Sequence, residues 1–487
     1  MTIAGLAASP SYEQSHSSFI DATLPREARD WTFGEEKSYG EENGDLNALL
    51  AALDQLRQTG SWQWPRRPIL FLSDLHADSD AFLGSLAASG AIRLAGSSTG
   101  NYHLTDLGRY ATLVIGGDCF DKGPSNLALL TEIKSLLDCG VDIRILAGNH
   151  DIRTYLGMRA PSFAADHRNN HFFLRLGPKV IPLLKEIWDG YLAGKSGLRD
   201  VPDAATCRRY LFPEKDWVHE FPACARPVLS ETKIARELKR IEKKTTMFEP
   251  SCAAVGLSIR HVYAAVQKWR QLFLDRDGEF AWFFQNMQLG YREGSLIFVH
   301  AGFDDAMAQA MRDRGADEIN RMFRAALSGE PFDLYYGSIA NTIRTKYRKV
   351  DNDLSARGAE HIRQSGIHAI IHGHRNQLHG QRMMLRKGVI NFECDATVDS
   401  HSRHKEGLRG PGAAVTVVQP EGRILGISTD FPYIKVFEPK QTADALEVAL
   451  GLDKRMGDGG FVRNEAVQPC VSAGCAVDQG YTKVTYE

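Results

Sequence analysis

Short apolar runs recur along the chain, and each ends abruptly in glycine, aspartate, asparagine or histidine. "PILFLS" leads into "DLHAD", "ATLVI" into "GGDCFDKG", and "VDIRILA" into "GNHD"; much later "SLIFV" leads into "HAG" and "IHAII" into "HGHR". Runs of this length, rich in β-branched and aromatic residues and bounded by glycine, predict buried strands. The segment "PSNLALLTEIKSLLDCG" predicts an amphipathic helix with a glycine stop, and the leucines of "NALLAALDQLRQ" (Asn47 to Gln58) fall at helical spacing. Further helices are expected over 180–192, 231–244, 258–273 and 443–455, and a hairpin over 413–429. Residues 1–43 and the end of the chain are polar and lack a period, and no internal repeat is visible. Strands alternating with helices predict a layered α/β architecture.

Composition narrows the setting. A chain of 487 residues exceeds the usual reach of one hydrophobic core, so an elaborated domain or two domains are expected. With 58 basic against 60 acidic residues there is no global field to attract nucleic acid or anionic lipid, so affinity for phosphate must come from a local site. Eight scattered cysteines without a CxxC pair give no disulfide framework, and a reducing cytoplasm is the expected location. The N-terminus lacks the basic start and apolar core of a secretion signal, and no apolar run approaches ~18 residues, so no membrane partner is expected.

Ligands of layered sheets gather at the carboxyl ends of strands. Five such ends here would deliver Asp74, His76, Asp118, Asn149, His300 and His374 to one rim. Two carboxylates, a carboxamide and three imidazoles, with no thiolate, suit Mn, Fe or Zn better than Ca. Asp74 and His76, two apart, would project to one side of an extended backbone. Taken singly, Asp74 also reads as a helix cap, Asn149 as an Asx turn, and the histidines as core residues. A bound cation would compensate polar groups at the buried end of a strand.

The motifs "DLH" at 74–76, "GDCFDKG" at 117–123, "GNHD" at 148–151, "HAG" at 300–302 and "GH" at 373–374 resemble, in order and spacing, the calcineurin-like metallophosphoesterase superfamily, and in several details its phosphoprotein phosphatase branch. The resemblance spans about Arg67 to Asp151 and Gly294 to Thr429. It implies a four-layer αββα sandwich of two mixed sheets with a helical insertion. It also implies two divalent ions, with Mn the ion expected to serve in vitro. Asp74, His76 and Asp118 would hold one ion, while Asp118, Asn149, His300 and His374 would hold the other. Hydroxide held between them would attack phosphorus in line. His150, oriented by Asp121, would protonate the leaving group, and the nearby carboxylate is expected to raise its pKa. Asn149, Lys122, Arg153 and Arg375 are the residues expected at the phosphate, and Asp395 is expected to border the pocket.

The resemblance also has departures. Asn376 stands where many phosphodiesterase relatives carry a second histidine, which favours phosphomonoesters, including phosphorylated protein. Ala77 and the "GNHD" ending also occur in dinucleoside tetraphosphatase-like branches, so a nucleotide substrate is the alternative; a non-catalytic metal-binding scaffold is a second. The boundaries expected are an N-terminal extension over 1–65, core over 66–154, helical cap over 155–293, core again over 294–435, and a C-terminal helix and tail over 436–487. Within the cap, Lys233, Arg236, Arg240 and Lys244 would share a solvated helix face. "DHRNNH" (166–171) and "DSHSRH" (399–404) look metal-like but lie outside the motif order, and His372 and Cys119 are expected to be structural.

Overall fold

Side chains alternate along each short apolar run: Ile69 and Phe71 join one buried cluster while Leu70 and Leu72 join another. The same split separates Val114 from Leu113 and Ile115, and Phe298 from Ile297 and Val299. A strand whose two faces both meet apolar neighbours lies inside a layered core. The computed structural model describes residues 23–31, 46–95, 102–162, 166–194, 197–348 and 351–452. Apart from residues 23–31, the polar stretch expected over 1–43 lies outside them, as does the tail.

The strands of the first half are β1 (Ala28–Asp30), β2 (Ile69–Leu72), β3 (Ile92–Leu94), β4 (Tyr102–Leu104), β5 (Thr112–Ile115) and β6 (Asp142–Leu146). Those of the second half are β7 (Met287–Gln288), β8 (Gly290–Glu293), β9 (Leu296–Val299), β10 (Ala369–His372), β11 (Arg382–Arg386), β12 (Val389–Glu393), β13 (Ala414–Gln419), β14 (Arg423–Ser428) and β15 (Ile434–Phe437). One mixed sheet runs β1-β15-β14-β13-β2-β5-β6-β7, the other β11-β12-β10-β9-β8, and β3 and β4 form a small separate ladder. Phe71, Val114 and Leu146 of the first sheet meet Phe298, Ile371 and Phe392 of the second in the cluster between them. The opposite faces are covered by helices, among them Ser79–Ala88, Asn126–Asp138, Asp305–Ser328 and Ala356–Gln364. This is the expected four-layer sandwich.

The hairpin expected over 413–429 is β13 and β14, and the helix expected over 47–58 runs from Leu46 to Thr59. The helix expected over 443–455 runs from Pro439 to Ala449. Between β6 and β7 lies the helical insertion, including Ile181–Ile187, Glu231–Ala254 and Ile259–Phe273. Sheet pairing resumes at Met287, where β7 adds to β6, and β8 pairs with β9, so these strands precede the boundary expected at 294. Among the described residues no helix is long and apolar enough to cross a membrane.

Candidate active site

Neighbouring strands β2, β5 and β6 end at Asp74 and His76, at Asp118, and at Asn149; β9 and β10 of the other sheet end at His300 and His374. Asp74, His76, Asp118, His300 and His374 therefore come together where the carboxyl ends of both sheets meet, and Asn149 starts the helix whose next N–H, that of His150, donates to Asp118 Oδ1 at 2.7 Å. Two groups form, His76–Asp118–His150 and Asp118–His300–His374, each with ligand atoms within 4.8 Å of one another, and Asp118 belongs to both. His76 Nε2 stands 3.9 Å from Asp74 Oδ1 and 3.9 Å from Asp118 Oδ2, and His300 Nε2 stands 3.5 Å from Asp118 Oδ1.

Asp74 and His76 do not share the face of an extended backbone as expected. Their φ angles are 57° and 44°, and Ala77, Asp118, Asp121, Lys122 and His374 are left-handed as well. These seven account for most of the ten non-glycine residues with positive φ among the described residues, so backbone strain of roughly 1–2 kcal/mol each is concentrated in the motifs. The turns need close backbone approach too. A Cβ on Gly117, at φ 91°, would lie 2.7 Å from Gly148 Cα, and one on Gly373 would lie 2.2 Å from Asp74 Oδ2.

Outer hydrogen bonds set how each of these side chains faces. His76 uses Nδ1 toward Phe120 O (3.2 Å), His300 uses Nδ1 toward Gly116 O (2.7 Å), and His374 uses Nε2 toward Arg344 O (2.9 Å). A ring nitrogen that donates to a carbonyl leaves the other with its lone pair directed inward, the arrangement that prepares an imidazole for a metal. Asp74 Oδ2 accepts from Ser73 Oγ (2.5 Å) and His374 N (2.9 Å). Asp151 is a residue whose role the sequence reading missed. Its fully buried carboxylate accepts from the N–H groups of Asp118 (2.9 Å), Cys119 (2.8 Å), Phe120 (3.2 Å) and Gly148 (3.1 Å), fastening the Asp118 turn to the start of the helix Asn149–Arg159.

Asn149 Oδ1 and His300 Nε2 are buried and without a hydrogen-bond partner. Burial pushes the Asp118 carboxyl up to about 6, and it pushes His76 and His374 well below the usual imidazole range. Lone pairs lacking donors and an acid resisting its charge are what a divalent cation would satisfy, so the donor set fits a metal.

Beside this cluster, His150 Nδ1 stands 2.7 Å from Asp121 Oδ2. Arg153 also pairs with the Asp121 carboxylate, and its Nη2 lies 2.8 Å from His150 Nδ1. The expectation of a raised His150 pKa is overturned. Burial first, then the charges of Arg153, Lys122 and Lys179, push it well below the ordinary value. Lys122 Nζ reaches His76 Nε2 (2.6 Å) and Ser402 Oγ (3.3 Å).

Arg375 is a second correction. It does not face the cluster as a phosphate ligand: it is 4% exposed, its Nε pairs with Glu393 at 2.8 Å, and its Nη2 meets His372 Nε2 at 2.9 Å. His372 is accordingly structural, Asn376 is exposed, and Asp395 is buried, its carboxyl driven well up by burial and then by Asp74. In "DHRNNH", Asp166 bonds Arg168, and His171 sits among Phe172, Trp217 and Phe221 with ring centroids 4.4–5.1 Å away. In "DSHSRH", Asp399 caps the helix Ser400–Glu406, which lies against the site through Ser400 N to Asp78 Oδ2 (2.9 Å).

Residues 67–225 match the family model for calcineurin-like phosphoesterases, a span containing the first three motifs. Among solved structures, the chain is similar to the cold-active protein tyrosine phosphatase of a psychrophilic Shewanella species, at 14% identity and a TM-score of 0.36, covering 74% of this chain and 77% of that one. It is also similar to a protein serine/threonine phosphatase from Saccharomyces cerevisiae with similarity to human phosphatase PP5, at 10% identity and a TM-score of 0.33, covering 81% and 89%. No curated protein matches the sequence.

Proposed function

We propose that this chain, a metal-dependent phosphoesterase that carries a calcineurin-like phosphoesterase domain over residues 67–225, hydrolyses phosphate monoesters, phosphorylated protein among them. The observation that carries this reading is the 2.7 Å contact of Asp121 with His150, where Asp118 belongs to two ligand groups and His150 to one of them. Asp74, His76 and Asp118 are assigned one divalent ion, and Asp118, Asn149, His300 and His374 a second, with Mn preferred in vitro and Fe or Zn suited to the same donors. Such ions supply positive charge to phosphoryl oxygens and acidify water near neutral pH.

The chain's own groups supply the rest. Lys122 and Arg153 flank the cluster and, with the carboxamide of Asn149, are assigned to the phosphoryl oxygens. Asp121 holds Nδ1 of His150, turning Nε2 inward to 3.9 Å from Asp118 Oδ2. With its pKa lowered, His150 is neutral in the free protein, so it is assigned the role of acid only once a bound phosphate dianion offsets the neighbouring cations and lets Nε2 carry a second ring proton to the departing oxygen. The free cysteines among the described residues support a reducing compartment, the cytoplasm.

A nucleotide or dinucleoside polyphosphate is the second reading, favoured by Lys179 of the insertion. Burial and then Arg153 lower the pKa of this lysine, Asp121 opposes them, and Lys122 and Lys405 add to the lowering, so it stands among more cations than carboxylates, a setting that suits a further phosphate. Mn-loaded protein assayed against a phosphoserine peptide, a dinucleoside tetraphosphate and an aryl phosphodiester tests both. Fastest turnover of the peptide is expected; fastest turnover of the tetraphosphate supports the second reading, and turnover of the diester alone overturns both.

A further inference from the structure

Asp121 and Lys122 are consecutive left-handed residues, at φ 69° and 74°, and their carboxylate and ammonium point into the site only while that kink is kept. Two hydrogen bonds hold it: Gly123 N–H donates to Asp121 O at 3.0 Å, and Asp121 N–H donates to the side-chain Oδ1 of Asn126 at 3.0 Å. Asn126 is buried, and its amide is held in turn by Glu186, which lies in the insertion on the helix Ile181–Ile187. Glu186 Oε1 accepts from Asn126 Nδ2 (2.8 Å) and Asn126 N (3.0 Å), and Oε2 accepts from Ser125 Oγ (2.9 Å) and Leu127 N (3.0 Å).

A carboxylate can only accept, so Nδ2 of Asn126 must face Glu186 and Oδ1 must face Asp121 N–H. A neutral partner at position 186 would remove that constraint, because a carboxamide offers a donor as well and lets the Asn126 amide turn over. The charge also lies on the first turn of the helix Asn126–Asp138, where it is favoured by the helix dipole and by first-turn N–H groups that have no acceptor within the helix. That explains why a Glu is stable there, but a cap alone needs no contact with Asn126 Nδ2.

We infer that Glu186 is a positioning residue: it fixes the Asn126 amide in the one orientation that accepts from Asp121 N–H, and thereby keeps the Asp121 carboxylate at His150. The inference rests on the proposed role of that pair as proton source. The insertion is on this view a working part of the site, because the hydrogen-bond chain from Asp121 ends on it.

The test compares two aryl monoesters of similar size with the Mn-loaded full chain. Release of 4-nitrophenolate needs little proton assistance, whereas release of phenolate needs much more. In Glu186→Gln, the ratio of kcat/KM for 4-nitrophenyl phosphate to that for phenyl phosphate is expected to rise about tenfold over the unaltered protein, and Asn126→Ala, the second variant, should raise it similarly. His150→Ala serves as reference and is expected to raise the ratio at least as much. Selectivity gained by His150→Ala but by neither other variant overturns this inference alone, leaving Glu186 a helix cap. No selectivity in His150→Ala overturns the proton-donor reading and this inference with it.

Discussion

Asp151 offers one carboxylate to four backbone N–H groups. Asp151→Asn puts an amide donor against donors, so a loss of about 2–4 kcal/mol is expected from the shift of the denaturant midpoint, with weaker Mn binding in a titration because the Asp118 turn loosens. His150→Ala is expected to lower turnover by about 100-fold or more while elemental analysis still finds the metal. Because His150 also closes one of the two ligand groups, loss of a metal equivalent would make it a ligand instead. Residue types at the strand ends were legible because each motif names its own chemistry. Direction was not. Arg375 follows His374, an expected ligand, yet turns inward to Glu393, a partner supplied by β12 and invisible to any local pattern. Asp151 was visible as the end of "GNHD", but its task depends on a turn thirty residues upstream folding over it.

At the scale of elements, the helix Glu231–Ala254 shows what spacing can and cannot give. It runs ten residues past the expected end at 244, because Phe248 and Cys252 continue the buried stripe of Ile234 and Ile241. The expected basic face is broken: Arg240 pairs with Glu237 at 2.8 Å, while Lys244 turns under Gly177 and donates to Arg175 O. Burial, then the charges of Arg175 and Arg153, push the Lys244 pKa down to about 6. The unfolded lysine binds its proton up to about pH 10.4 and the folded one releases it above about 6, so this group makes stability rise with pH between those limits, by at most about 1.4 kcal/mol per unit. Lys244→Met is therefore expected to raise Tm most near pH 6, with the advantage shrinking toward pH 10; an equal shift at both ends would contradict the inward lysine. The central strands were legible as continuous apolar runs buried on both faces. The edges β1 and β7 were not, since three and two residues carry no period.

For the whole molecule, insertion and sandwich share one apolar cluster, in which Phe120 beside the site meets Phe273, Phe283 and Phe284 with ring centroids 5.8, 5.6 and 6.1 Å away. Tryptophans of the insertion and the far-ultraviolet dichroism of the sheets are expected to report one coincident thermal transition, about 2 °C or more higher with excess Mn than with chelator. Two separated transitions would mean that the insertion is an independent body. The layered class was legible from alternating elements, but the division of the strands between two sheets was not, since β6 and β9 read alike along the chain. That division has a consequence for how the protein is made. A ribosome releases Asp74, His76, Asp118 and Asn149 early, but His300 and His374 emerge only after the entire insertion has been translated. On the assignment proposed above, a nascent or truncated chain that stops before them can offer ligands for the first ion only, so the second ion can load only after most of the polypeptide has been synthesised.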